Sequence, residues 1–385
     1  MLYRRFGKTN LRLSVFSLGT MRANASPENA WQTIQKAIVL GINHVETARG
    51  YGKSEEYLGE AMSNDKPLRV YAVGLPVPRS QVHITTKIPP TPDADTMRRY
   101  IDESLERLKL DYVDCLGIHG LNTWEHFNWV KAKGGCMQAV QEAVADGRVR
   151  HVGFSTHAPL EIILAAINTD LFEFVNLHYY YFFQRNAEAI QQAFEKDMGV
   201  FIISPADKGG RLYTPPETLK DLCHPFSPLK LNYRFLLSDP RITTLSVGPA
   251  HPNELTEPLQ VAECDTELTP EEMTVFQRLE NHQRAALETD KCSQCYACLP
   301  CPENINIPEV LRLRNLAVAY DMTDFGQYRY RMFENAGHWF PGMKANRCTE
   351  CGECLPRCPE NLDIPALLQD AHNRLNGPSG RRLWS

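Results

Sequence analysis

No stretch of this chain approaches the roughly twenty consecutive apolar residues that cross a bilayer, and the opening MLYRRFGKTNLRLS has no apolar core of the kind a secretion signal needs. Membrane insertion and export are not expected, and the expected location is cytoplasmic. Long basic tracts are missing as well. The 41 Lys and Arg are spread through 385 residues against 46 Asp and Glu, for a net charge of −5, which is not the footprint of a nucleic-acid binder. No G-x-G-x-x-G turn follows the first apolar run, which weakens a doubly wound dinucleotide fold, and there is no flavin motif. Four of the 12 cysteines, Cys115, Cys136, Cys223 and Cys264, lack motif spacing and read as small buried hydrophobes.

The other eight cysteines are strictly ordered. Cys292, Cys295, Cys298 and Cys301 precede Pro302, and Cys348, Cys351, Cys354 and Cys358 precede Pro359. The runs continue as CPENINIP and CPENLDIP, so the segment is an internal repeat whose first run is one residue shorter in its last gap. Structural zinc wants two C-x2-C pairs per ion, and disulfides suit small secreted chains; both fit less well than iron–sulfur clusters. The pattern resembles a bacterial two-cluster ferredoxin, in which the Pro-flanked fourth Cys ligates the other cluster. That resemblance implies two [4Fe-4S] clusters with crossed ligands: Cys292, Cys295 and Cys298 with Cys358, and Cys348, Cys351 and Cys354 with Cys301.

Residues 1 to about 262 alternate short apolar runs with segments of helical period. Strands are expected at Val15 to Leu18, Ile42 to Val45, Val82 to Thr85, Tyr112 to Ile118, Val152 to Phe154, Phe174 to Asn176, Val200 to Ile203 and Thr243 to Val247. Eight such strand–helix units predict a (β/α)8 TIM barrel, with strands apolar enough to be covered on both faces. The expected domains are a barrel over 1–265, a connecting helix over 266–290, a small, mainly α-helical two-cluster ferredoxin-like domain over 291–376, and a frayed tail over 377–385. The 46 residues between the cysteine runs, and the prolines Pro308 and Pro365 at helix starts, favour the helical form of that domain.

Barrel enzymes carry their chemistry just beyond the strand ends. There the chain places Glu46, Tyr51, Lys87 and His119. NHVETARGYGKSEE, with LYRRFGKTNLRLSVFSLGTMR before it, resembles the active-site loop and N-terminal hairpin of the aldo-keto reductase family, and the whole chain resembles the branch with a C-terminal ferredoxin domain. The resemblance implies that Tyr51 protonates a small-molecule carbonyl as hydride arrives from a nicotinamide. Lys87 would lower the Tyr51 pKa, Glu46 would pair with Lys87, and His119 would orient the carbonyl. The family pattern has Asp where this chain has Glu46. NADP(H) is the implied cofactor, with NAD(H) as alternative, held by Ser155 and Asn176 at the carboxamide, with Gly19, Thr20 and Met21 close by and Thr156 and Gly248 also among the cofactor-binding residues. The loop Ser204, Pro205, Lys208, Gly209 and Gly210 would cradle the pyrophosphate. Ile203 stands where an aromatic residue often stacks on the nicotinamide, a role open to Tyr179 or Tyr180. GPAHPNELTEP lacks the Arg expected at a 2′-phosphate, and its Pro258 replaces a usual Asn.

Two functions compete. One is a carbonyl reductase whose clusters transfer electrons, brace the fold or sense oxygen and iron supply. The other is an electron-transfer protein serving a redox-protein partner, with a barrel that performs no hydride chemistry.

Overall fold

The computed structural model describes residues 1–63, 77–264 and 266–378, so most of the expected tail at 377–385 lies outside the described residues. The chain divides into two compact units, Met1–Gly209 with Asn232–Glu267, and Gly210–Leu231 with Leu268–Ser385.

The first unit opens on a hairpin of β1 (Tyr3–Arg5) and β2 (Arg12–Ser14), in register Tyr3 to Ser14 and Arg5 to Arg12. Eight parallel strands follow: β3 (Phe16–Gly19), β4 (His44–Glu46), β5 (His83–Ile88), β6 (Val113–His119), β7 (Val149–Ser155), β8 (Phe174–Leu177), β9 (Gly199–Ile202) and β10 (Thr244–Val247). They close in chain order, β10 pairing with both β9 and β3. The eight expected strands are all present within a few residues, because strands buried on both faces read as continuous apolar runs. Helices start where capping side chains stand. Ser26 accepts the Asn29 N–H ahead of Pro27–Val39, and Asp93 accepts that of Thr96 ahead of Ala94–Leu108.

The hairpin seals the lower end of the barrel. Phe6 is buried with Leu13, Cys115, Phe174 and Phe201, and a Cβ on Gly199 would lie 2.2 Å from its ring. Gly7, at φ +53°, passes so close to Gly199 that any side chain would strike backbone. One polar cluster interrupts this core: His44 lies 2.7 Å from both Ser17 Oγ and Thr85 Oγ1, and Ser17 reaches Thr244. Burial holds the His44 imidazole down at about 3, so it is neutral at ordinary pH.

The second unit is helical. Pro270–Leu287 starts from a capping box in which Thr269 and Glu272 satisfy each other's backbone N–H groups. Ile307–Tyr320 and Ile364–Leu375 each follow a cysteine run and carry Pro at the first turn, as expected. Thr323–Tyr330 is an additional helix. Among the described residues no helix is long and apolar enough to cross a membrane.

Candidate functional site

Glu46 ends β4, Lys87 lies near the end of β5 and His119 ends β6, so three adjacent strands deliver them to one rim of the barrel. Lys87 Nζ stands 2.8 Å from Glu46 Oε2, with side chains only 2% and 4% exposed. Burial alone would lower the Lys87 pKa, but the charge of Glu46, the Tyr51 oxygen and hydrogen bonds to both outweigh it and leave the pKa raised. Lys87 is thus a fixed ammonium. Gly117, opposite Lys87 on β6, makes room for its stem, since a Cβ there would lie 3.0 Å from Lys87 Cγ. Lys87 Nζ sits 4.8 Å from the centre of the Tyr51 ring, and the His119 ring meets Tyr51 edge-on at 5.5 Å. The four residues picked from sequence therefore converge.

The extra methylene of Glu46 has a visible use. While Oε2 holds Lys87, Oε1 accepts a hydrogen bond from Asn176 Nδ2 at 2.5 Å, across the barrel from β8. That bond fixes the Asn176 amide and leaves its Oδ1 buried with no hydrogen-bond partner. A buried unpaired acceptor costs about 1–3 kcal/mol. The N–H of a ligand carboxamide is the kind of donor that would satisfy it, so the residues present fit a nicotinamide.

Several residues that brace this site escape a sequence reading. The loop after β4 is tied down by Thr47 N–H to Thr85 O and Arg49 N–H to Lys87 O, and Thr20 Oγ1 and Thr47 Oγ1 both meet Ser54 Oγ. Asn24 Nδ2 donates to the Tyr51 carbonyl at 2.8 Å, fixing the backbone that carries the phenol. Glu55 is buried, accepting from Thr86 Oγ1 and Arg107 Nε, and so locks the helix Ser54–Met62 onto β5. The motif GYGKSEE contains the signal only in part, because a Glu in a first helical turn normally reads as solvated.

The remaining expected cofactor residues divide. Ser155 at the end of β7 is buried, its Oγ accepting from Gly120 N–H, while the Thr156 hydroxyl is committed to Leu121 O and Ala158 N–H. Thr20 is committed to the active-site loop. A Cβ on Gly248 would have only the Gly19 oxygen within 4 Å, so the rim between β3 and β10 is open there; Met21 follows on the loop after β3. In the loop after β9, Ser204 is left-handed at φ +55°, and the Gly209 Cβ position lies 1.9 Å from the Pro205 oxygen. Gly209 is thus already required by the loop's own closure. Lys208 N–H closes the turn onto Ser204 O, and Gly210, at φ +139°, belongs to the second unit, where a Cβ would strike Met322. Tyr179 lies beyond the end of β8 at Leu177 and is buried, with its ring stacked on Phe235 at 5.7 Å. Tyr180 is tied by its hydroxyl to Ile203 O and His178.

In the second unit the cysteines surround two cavities. One is lined by Cys292, Cys295, Cys298 and Cys358 with Pro308, Leu311 and Ile364. The other is lined by Cys301, Cys348, Cys351 and Cys354 with Ile307, Pro365 and Leu368. Each cavity thus takes three cysteines from one run and the last from the other. All eight are free thiols, and among the described residues no three His, Cys, Asp or Glu side chains are placed to hold one metal ion. Four cysteines around one mostly apolar-walled cavity suit a polynuclear core better than a single zinc. Burial pushes the Cys298 thiol up to about 12.

Comparison with known proteins agrees with both halves. A family model described as the aldo/keto reductase family matches residues 15–281, and one described as a 4Fe-4S dicluster domain matches residues 291–363. L-galactose dehydrogenase of Arabidopsis thaliana is 29% identical over 243 residues, covering 58% of this chain and 70% of its own. The uncharacterized oxidoreductase YqkF of Bacillus subtilis is 23% identical over 314 residues, covering 72% and 96%. Among solved structures, the holo form of aldo-keto reductase AKR11C1 from Bacillus halodurans superposes with a TM-score of 0.61 at 20% identity, over 72% of this chain and 96% of that one. At that identity the likeness shows the fold.

Proposed function

Because the chain belongs to the aldo/keto reductase family and carries a 4Fe-4S dicluster domain later in its sequence, we propose that it is an NAD(P)H-dependent reductase of a small carbonyl compound, acting through Tyr51. The observation that carries this is the convergence of Tyr51, Lys87, Glu46 and His119 on one rim of the barrel. A bound nicotinamide would supply hydride to the carbonyl carbon. Tyr51 donates its phenolic proton to the carbonyl oxygen as negative charge develops there. Lys87, kept as an ammonium by Glu46, stabilises the phenolate left behind. His119 orients the oxygen from the edge of the Tyr51 ring, and Asn176, fixed by Glu46, offers its Oδ1 to the carboxamide. NADP(H) is the first candidate and NAD(H) the alternative.

The cysteines would hold two [4Fe-4S] clusters with crossed ligands, Cys292, Cys295, Cys298 and Cys358 in one and Cys301, Cys348, Cys351 and Cys354 in the other. Functionally the chain would divide into the barrel over 1–265, a connecting helix over 266–290 and the cluster domain over 291–376. Hydride moves two electrons together and each cluster usually takes one, so we assign the reduction to the barrel alone. A second function, electron delivery to a redox partner, is favoured by the exposure of Cys295 and Cys351. Anaerobic mixing of cluster-loaded protein with NADPH, then NADH, with and without an aldehyde, separates the two. Nicotinamide oxidation only with the aldehyde supports the reductase, and bleaching of cluster absorbance by nicotinamide alone supports electron transfer.

A further inference from the structure

The two cysteine runs align without gaps through Cys298-Leu299-Pro300 and Cys354-Leu355-Pro356, after which the second run has one residue more before its last cysteine: Arg357. The cavity walls follow the repeat. Ser293 and Thr349, Glu360 and Glu303, Pro308 and Pro365, and Leu311 and Leu368 are repeat partners, and each pair contributes one residue to each cavity. Lys291 and Arg347, just before the first cysteines, are likewise partners. Arg357 has no partner, and it lines only the cavity of Cys301, Cys348, Cys351 and Cys354. Charged wall residues are then Glu360 in the first cavity, and Glu303 with Arg357 in the second. The formal difference is one positive charge on the second wall.

Two hydrogen bonds hold that charge in place. Arg357 Nε donates to Glu353 O at 2.8 Å, and Nη2 donates to Pro300 O at 2.9 Å. Pro300 precedes Cys301, so the guanidinium fastens the loop that carries Cys301 across to the other run. Arg357 is partly buried, while the unmatched acids of the second run, Glu350 and Glu353, are exposed and line neither cavity. Charges facing water are screened several-fold more than one at a low-dielectric wall. Arg357 should therefore outweigh them.

Resting on the two-cluster reading above, we propose that Arg357 sets the order of the two reduction potentials, making the group held by Cys301, Cys348, Cys351 and Cys354 the more readily reduced. Adding an electron makes a cluster one unit more negative, and a fixed cation at its wall stabilises that state. An electron entering the cluster of Cys292, Cys295, Cys298 and Cys358 from a one-electron donor then passes to its neighbour. One cluster is oxidised, the other is reduced, and no proton or bond moves.

The test is an anaerobic potentiometric titration of the full chain, followed by electron paramagnetic resonance, with iron and sulfide measured on the same samples. Wild type should show two separate one-electron steps. Arg357→Gln should lower the upper step, leave the lower one in place and bring the two together; Arg357→Lys, which keeps the charge, should preserve most of the separation. Glu350→Gln should move the upper step less than Arg357→Gln does. Eight irons with coincident wild-type steps, or with steps that Arg357→Gln leaves unmoved, would overturn the proposal alone. Should Arg357→Gln load poorly, a loss of separation in fully loaded Arg357→Lys overturns it. Zinc without sulfide in wild type would remove the cluster reading and this proposal with it.

Discussion

Lys87 Nζ lies 2.8 Å from Glu46 Oε2, and the other oxygen of the same carboxylate holds Asn176. An acid one methylene shorter cannot keep both partners without moving backbone. Glu46→Asp should therefore keep the Lys87 pair and lose the hold on Asn176. The expected result is a rise of about tenfold in the nicotinamide KM, the loss of roughly one charge-assisted hydrogen bond, with kcat changed only a few-fold. Glu46→Gln should do more, because it leaves a buried ammonium without its counter-charge, a loss of about 3–5 kcal/mol in stability. Steady-state kinetics and denaturant unfolding check the two variants.

The buried His44 predicts an acid limb in stability. Its folded pKa of about 3 lies below the unfolded value near 6.5, so between those values the unfolded chain binds a proton that the folded chain refuses. The contribution is fully present above pH 6.5 and is lost as pH falls toward 3, at about 1.4 kcal/mol per pH unit. Unfolding of wild type and His44→Gln by urea across this range should show a difference in stability that shrinks as pH falls. A difference independent of pH would contradict a neutral buried imidazole.

Crossed ligation makes a prediction about distance along the chain. Cys301→Ser should damage the cluster of Cys348, Cys351 and Cys354, some fifty residues on, and spare that of Cys292, Cys295 and Cys298. Iron and sulfide should fall from about eight of each to about four. Combining Cys301→Ser with Cys348→Ser should cost no further iron, whereas combining it with Cys292→Ser should remove the rest.

Much of this was legible in the sequence where a residue's neighbours are set by a short local pattern. The barrel strands read as apolar runs because they are covered on both faces, and the cysteine runs announce themselves by spacing. What was not legible depends on partners far along the chain. Asn176 meets Glu46 across 130 residues, and nothing local marks either as the other's partner. Glu55 reads as a solvated helix-start acid until Thr86 and Arg107 enclose it. Tyr179 likewise stacks on Phe235, a partner far along the chain that nothing local announces. Thr323–Tyr330 has no clear apolar stripe, and its burial comes from packing within the second unit rather than from its own periodicity.

On the function proposed above, Tyr51 is the proton donor of a carbonyl reduction carried out in the barrel. The direct test compares wild type and Tyr51→Phe, both cluster-loaded and anaerobic, for reduced-nicotinamide oxidation against a panel of aldehydes, ketones and quinones. The phenyl ring still packs against His119 and Lys87, so nicotinamide binding and cluster absorbance should be unchanged while turnover falls about 10²- to 10⁴-fold. Equal turnover by the two proteins, or none by wild type with any carbonyl in the panel, would contradict it.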